Sequence, residues 1–417
     1  MRMTIRHTLQ RLRETKVLEN YSFMTALNVV SALISFFIYP YVVYRTGKDA
    51  FGVYPYALAY VLIFQTIIDF RFGTPSAKNI VLHRDDPAGK EYILSQVFTA
   101  KSLLWTLCTI VFLTMLCWMP GIRDNRLIFI ATYLQTPASV LFPTWYFQGI
   151  KQMRTVTYIN LTCKLLAVPI ILLCVRSAET LWVYAFVNSM ALVIGGIVAM
   201  FIIRYRDGLH IRLLPIRTLG GLFHEGLPFF LTGITEQLKE GFITVLIRHA
   251  FGFGDVTLYD IARKIVAIPM MFTSTINDAL FPEVMTNPAP ERVRRILRGE
   301  RFIGFTISLI VTIFAYPVIW ILFGKEMLDA YPLAAILSWT IYAYLLVSVH
   351  LDFIFVPNGK YYLVAQNQWV ALGSCILIAV VGLLLYPHII VVALAATLSG
   401  FAEILFCRLA ARKKNIF

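Results

Sequence analysis

The stretch YILSQVFTAKSLLWTLCTIVFLTMLCW, residues 92–118, carries a single charged side chain, that of Lys101. A helix crosses the hydrocarbon layer of a bilayer with about 20 apolar residues, and this stretch is longer than that. A charge inside such a helix must pair with another group, reach the interface or face water. The stretch therefore predicts a transmembrane helix with one buried cation.

Similar stretches recur along the whole chain of 417 residues. The chain is 59% hydrophobic and 14% charged, with a mean hydropathy of +0.72, whereas a soluble domain has about 25% charged residues. Helices satisfy their own backbone hydrogen bonds in lipid. We therefore predict an all-α integral membrane protein of about twelve transmembrane helices. The predicted spans are 18–45, 50–70, 92–118, 127–148, 155–175, 180–203, 226–249, 257–281, 302–323, 331–355, 361–386 and 389–407.

The longest basic connection separates the predicted spans into two halves. We predict a cytoplasmic interfacial helix over 1–17, an N-terminal bundle over 18–207, a cytoplasmic linker over 208–221 and a C-terminal bundle over 222–417. Each bundle holds about six helices, an even number, so both have the same orientation. Parallel repeats of this kind surround a central cavity in many transporters.

Lysine and arginine are concentrated in alternate connections, including 204–217, 292–301 and 408–414. The positive-inside rule places these connections and both termini of this multi-pass protein in the cytoplasm; the bacterial inner membrane is the location that the family resemblance given below implies. The net charge of +14 therefore reflects membrane orientation and does not indicate nucleic acid. The six cysteines lie in apolar stretches, and no Cys/His spacing is typical of zinc, so we expect no metal site and no bound cofactor.

Charged residues inside the spans predict a hydrated cavity whose cations face an anionic substrate. The candidate substrate-binding residues are Lys101, Lys164, Lys239, Arg263, Lys264, Arg45 and Arg248. The acids of the seventh and eighth spans could couple transport to H⁺ or Na⁺, and these candidates are Glu236, Glu240 and Asp260. Further acids, Asp278, Asp352 and Glu403, also lie within or near spans.

Local pairing is an alternative explanation for the same charges. In TEQLKEG, Glu236 and Lys239 are i,i+3 neighbours, and in YDIARK, Asp260 is i,i+4 from Lys264. Pairs at these spacings meet on one helix face, and they would let the helices insert without any role in transport. Arg45 and Arg248 lie at the ends of spans, where interfacial anchoring is the alternative.

Four motifs resemble the polysaccharide transporters of the O-antigen flippase (Wzx-like) type, in the multidrug/oligosaccharidyl-lipid/polysaccharide exporter superfamily. PTWYFQG at 143–149 resembles the P-x-W-x-F-Q-G pattern of these proteins, and DFRFG at 69–73 resembles their D-[FY]-G-F segment with Arg71 inserted. GLPFFLTG at 226–233 and LYDIARKI at 258–265 are similar to the start of their seventh span and to their Y-x-x-A-x-K-[IL] pattern. The resemblance covers nearly the whole chain and implies a MATE-like fold.

The resemblance implies a flippase rather than an enzyme. Its substrate would be an undecaprenyl-diphosphate-linked oligosaccharide, such as an O-antigen or exopolysaccharide repeat unit of lipopolysaccharide biosynthesis. The sugar would cross from the cytoplasmic to the outer leaflet by alternating access, and a polysaccharide polymerase is a further candidate partner. Two alternatives remain open. One is an ion-coupled multidrug or metabolite antiporter of the same superfamily, and the other is a membrane-embedded polymerase or acyltransferase.

Overall fold

The computed structural model describes residues 30–286, except 32 and 35, and residues 290–414. Side chains are described throughout these ranges except at 274–276, 278–283, 285, 286 and 290. The predicted interfacial helix, 1–17, and the side chain of Asp278 lie outside this part of the chain. Every regular element in the described residues is helical, with no strand among them.

The principal helices follow the hydropathy pattern. They are α1, 36–46; α2, Val53–Asp69; α3, Gly73–Leu82; α4, Pro87–Trp118; α5, Arg126–Tyr133; α6, Thr144–Gly149; α7, Met153–Cys174; α8, Leu181–Phe201; α9, Gly220–Ala250; α10, Phe253–Thr286; α11, Pro290–Phe323; α12, Ala330–Leu337; α13, Trp339–Ser348; α14, Tyr361–Leu385; and α15, Ile389–Lys413. A π-helical segment, Val349–Phe355, continues α13.

Nine helical segments in the described part of the chain are long and apolar enough to cross a membrane. They are Lys48–Leu82, Pro87–Trp118, Arg126–Gly149, Met153–Cys174, Ala178–Arg206, Glu291–Phe323, Ala330–Phe355, Tyr361–Leu385 and Ile389–Lys413. The predicted spans 226–249 and 257–281 are also helical, as α9 and α10, but they carry the charges described above. The prediction of an all-α, multi-pass membrane protein is confirmed, and the number of twelve spans stays approximate.

The chain forms two compact units. Unit 1 contains Ile68–Arg176, Trp182–Gly226 and the described residues up to Tyr41, and unit 2 contains Val42–Ile67, Ser177–Leu181 and the residues from Leu227 onward. Unit 2 thus includes α2 up to Ile67, a helix from the early part of the sequence. The bundle boundaries at 208–221 stay a prediction.

In unit 1, the PTWYFQG motif forms a packed contact between α6 and α3. Trp145, Tyr146 and Phe147 are all buried. A Cβ on Gly149 would lie 2.6 Å from Cγ2 of Ile80, closer than real Cβ contacts allow. The motif therefore needs its glycine because the two helices approach closely there.

In unit 2, the segment before α2 packs against the start of α10. A Cβ on Gly52 would lie 1.9 Å from the carbonyl oxygen of Phe253. The Thr257 hydroxyl donates to the carbonyl of Lys48 at 2.6 Å. A backbone this close tolerates no side chain, so glycine at position 52 fixes the approach of the two segments.

We expect Gly52→Ala to destabilise unit 2 by about 1–3 kcal/mol, because the added methyl group forces the backbone contact apart. Gly373→Ala is the matched control, since the Cβ at that helical position meets no atom within 4 Å. Thermal unfolding of the purified protein in detergent checks the difference. Equal melting temperatures for the two variants would show that this contact is not needed.

Candidate functional site

Unit 2 encloses a charged cavity of about 410 Å³. Its walls come from α9, α10, α12, α13, α14 and α15 together with the π-helical segment. The volume is in the range of small-ligand pockets. The charged, amide and hydroxyl side chains that line it are Glu236, Lys239, Glu240, Tyr259, Arg263, Thr340, Tyr344, Ser348, Asp352, Gln368 and Glu403.

The first ion pair of the cavity joins α9 to α15. Nζ of Lys239 lies 3.5 Å from Oε1 of Glu403, and the two side chains are 20% and 12% exposed. The other oxygen of Glu403 accepts a hydrogen bond from Nδ2 of Asn367 at 2.8 Å. The carboxylate is therefore held from two helices, because both of its oxygens have a partner.

The second ion pair joins α9 to α10. Nη1 of Arg263 lies 2.7 Å from Oε2 of Glu240. Both side chains line the cavity and are partly exposed, at 42% and 35%.

Carboxylates outnumber cations in this lining. Glu236, Glu240, Asp352 and Glu403 face Lys239 and Arg263. The described lining is therefore mixed in charge rather than uniformly cationic. A mixed lining with hydroxyl and amide groups suits a polar, hydroxyl-rich ligand, since carboxylates and amides accept hydrogen bonds and the cations donate them.

Other predicted residues of unit 2 do not line this cavity. Lys264 pairs with Asp260 at 3.8 Å within α10, which confirms the predicted i,i+4 pair. The guanidinium of Arg248 stacks over the ring of Phe253 at 3.9 Å, a cation–π contact. Arg45 is an exposed residue of α1.

In unit 1, Lys101 is fixed inside the helical packing. Its side chain is 4% exposed and forms an ion pair with Asp69, and its ammonium donates to the carbonyl of Ser139 at 3.1 Å. The cavity beside it measures about 10 Å³, too little for a ligand group. Lys164 is half-buried, and its ammonium lies 3.4 Å from the carbonyl oxygen of Ser31. Lys101 and Lys164 stay predicted substrate-binding residues, although both now have protein partners.

Sequence reasoning placed Lys239, Arg263, Glu236 and Glu240 in the site, and the structure brings these four together. It left out Glu403, although a lone acid in the apolar span of α15 is a signal for function. Also missed were neutral polar residues of the cavity and its surroundings, which carry no charge to mark them: Thr340, Ser348, Asn367 and Gln368. Groups of three or more His, Cys, Asp or Glu side chains that could hold a metal ion do not occur in the described residues.

Solved structures of membrane transporters share this architecture. The lipid II flippase MurJ in an inward closed conformation matches 94% of this chain and 87% of its own, with a TM-score of 0.68 and 13% identity. An inward-facing MATE family multidrug resistance transporter of the MOP superfamily matches 93% of this chain and 99% of its own, with a TM-score of 0.63 and 13% identity. The fold of this chain is therefore the one that these two solved structures share.

The sequence comparisons agree with the fold. Residues 17–287 match the family described as "Polysaccharide biosynthesis protein", and the chain belongs to this family. A protein of Escherichia coli (strain K12) named "Putative O-antigen transporter" is 20% identical over 312 residues, covering 73% of this chain and 75% of its own length. A protein of the same name from Shigella dysenteriae is 23% identical over 254 residues, covering 60% and 63%. The names of these relatives describe transporters, in agreement with the expectation of a protein that is not an enzyme.

Proposed function

We propose that this protein is a flippase that moves an undecaprenyl-diphosphate-linked oligosaccharide from the cytoplasmic to the outer leaflet of the inner membrane. The observation that carries the proposal is the charged cavity of unit 2, where Lys239 and Arg263 lie among carboxylate, amide and hydroxyl groups. Membership of a polysaccharide biosynthesis family and the names of the O-antigen relatives support this substrate class.

The cavity offers partners for both parts of the polar head group. Sugar hydroxyls both donate and accept, so they match the carboxylates and the amide of Gln368. Phosphate oxygens only accept at neutral pH, so they match Lys239 and Arg263. The prenyl chain needs none of these groups and stays in lipid while the sugar crosses by alternating access.

The two pairs, Lys239–Glu403 and Arg263–Glu240, support a proposal of ion coupling. A proton or Na⁺ on either carboxylate would weaken its hold on the cation, and the released cation could then take an anionic group of the substrate. Glu236 and Asp260 are the other proposed coupling residues. Both termini are proposed to be cytoplasmic from the charge distribution, and a polysaccharide polymerase is a proposed partner.

The direct test is transfer of a fluorescent lipid-linked oligosaccharide in proteoliposomes. We expect protein-dependent loss of outer-leaflet label, accelerated by an imposed H⁺ or Na⁺ gradient. Liposomes with protein but with a labelled phospholipid control for general leakiness. Failure to move the genuine lipid-linked sugar, together with gradient-driven efflux of cationic dyes, would favour the multidrug antiporter and reject the flippase.

A further inference from the structure

A second recess lies on unit 2, between α13 and α15. We call it the lipid-facing groove; its volume is about 210 Å³, and it is lined by Tyr342, Leu346, Phe401, Ile404, Leu405 and Arg408. Five of its six residues are aliphatic or aromatic. None of the six lines the charged cavity, so the groove and the cavity are separate features of the same unit.

The spacing of these residues makes the groove run along the two helices. Phe401, Leu405 and Arg408 lie at i, i+4 and i+7 on one face of α15. Leu346 and Ile404 are buried and form the floor, whereas Phe401 and Leu405 are 38% and 60% exposed. Exposed apolar walls on a transmembrane helix face hydrocarbon chains, so the groove has the character of a site for an extended alkyl chain.

The same two helices form a wall between the groove and the charged cavity. Ala343, Val347, Gly400 and Glu403 line the cavity, and they alternate with the groove residues along α13 and α15. A Cβ on Gly400 would lie 2.7 Å from Cβ of Ala343, so the two helices are in contact there. A group bound in the groove is therefore separated by these helices from a group bound in the cavity.

A positively charged residue, Arg408, lies at one end of the groove. Arg408 is exposed and forms no ion pair with any described residue. Arg412 and Lys413, also exposed, follow on the next turn of α15. Clustered basic residues at the end of a transmembrane helix attract anionic lipid head groups.

We propose that this groove binds an anionic phospholipid of the bilayer, with one acyl chain between Tyr342 and Leu405 and the phosphate at Arg408. The apolar floor and walls contact the chain, and the guanidinium of Arg408, which forms no ion pair within the described residues, donates hydrogen bonds to the phosphate. The intervening wall separates this lipid from a sugar in the charged cavity. The site stands independently of the proposed flippase activity.

Native mass spectrometry of the full chain, released from detergent with added phosphatidylglycerol or phosphatidylcholine, tests the site. We expect the protein to retain phosphatidylglycerol in preference to phosphatidylcholine. Arg408→Gln is expected to reduce the affinity for phosphatidylglycerol about fivefold. Leu405→Trp is expected to reduce retention of both lipids, because the larger side chain fills the groove.

Two exposed neighbours on α15 provide matched controls. Arg412→Gln removes a cation outside the groove, and Leu409→Trp adds the same ring at a residue that is 56% exposed and does not line it. Leu409→Trp should bind lipid as the unmodified protein does, and Arg412→Gln should lose clearly less affinity for phosphatidylglycerol than Arg408→Gln, because Arg412 lies one turn beyond the groove. Because all four substitutions are at exposed positions, monodisperse gel filtration is expected for each, and circular dichroism checks their helix content.

Three results would overturn the proposal. The first is equal retention of the two lipids by the unmodified protein. The second is a loss in Arg412→Gln as large as that in Arg408→Gln, which would indicate a diffuse basic surface. The third is one-for-one displacement of phosphatidylglycerol by undecaprenyl phosphate in a manner that requires Arg408, which would make the carrier lipid the occupant.

Discussion

Replacing Lys239 with glutamine is expected to reduce transport of the lipid-linked oligosaccharide tenfold or more. A hydrogen bond to a charged group contributes about 1.5–3 kcal/mol, and tenfold corresponds to about 1.4 kcal/mol. Glutamine keeps most of the side-chain length but cannot offer a positive charge to an anionic group. The measurement is the initial rate of transfer in proteoliposomes, with the amount of surface glycan in cells as a second measure.

The role of Lys239 in the Lys239–Glu403 pair must be separated from its role toward substrate. The single substitution leaves Glu403 with Asn367 as its remaining side-chain partner in the described residues, which would by itself lower stability. The double variant Lys239→Gln/Glu403→Gln removes both charges and should restore stability without restoring transport. Lys325→Gln, at an exposed position between α11 and α12, is the control for charge loss alone. Normal transport in the double variant would contradict the assignment.

The second large effect is expected at Asp69, the partner of Lys101 in unit 1. Asp69→Asn should destabilise the protein by about 1–3 kcal/mol, because it leaves a buried ammonium without its counter-charge. Lys101→Met should lower the free energy of unfolding much less, because it removes the buried charge. Asp69, which is 43% exposed, then stays in contact with water. Thermal unfolding in detergent distinguishes the two variants.

The control for this pair is Asp85→Asn, at an exposed loop position. If Asp69→Asn were as stable as Asp85→Asn, the pair would contribute little to the fold. Transport by Lys101→Met carries separate information. A well-folded Lys101→Met protein that fails to transport would support the sequence-based prediction that this lysine binds substrate, and normal transport would leave it with a structural role.

Hydropathy predicted the all-helical membrane fold because every segment that is buried in lipid must satisfy its own backbone hydrogen bonds. It also placed α9 and α10 in the membrane despite their charges. The pairing of those charges was harder to predict. Helical spacing identifies neighbours such as Asp260 and Lys264, but Lys239 and Glu403 are 164 positions apart, and no local rule relates them.

The sequence also did not predict which helices form unit 2. Hydrophobic periodicity reports that Val42–Ile67 enters the membrane, but it does not report which helices surround it. The structural role of Gly52 becomes apparent only from the position of Phe253 beside it. The uncharged cavity residues could not be predicted from the sequence either, because a residue such as Gln368 is identified as part of the cavity only from the side chains around it.

The contact of Gly52 with Phe253 also has a consequence for biosynthesis. The helix that begins at Val53 is synthesised long before the rest of unit 2. It therefore remains in the bilayer without its packing partner until α10 has been synthesised. If the polypeptide were divided at the basic connection near 208–221, α2 would be in the first fragment and α10 in the second. Separately expressed halves are therefore expected to accumulate only when both are produced in the same cell.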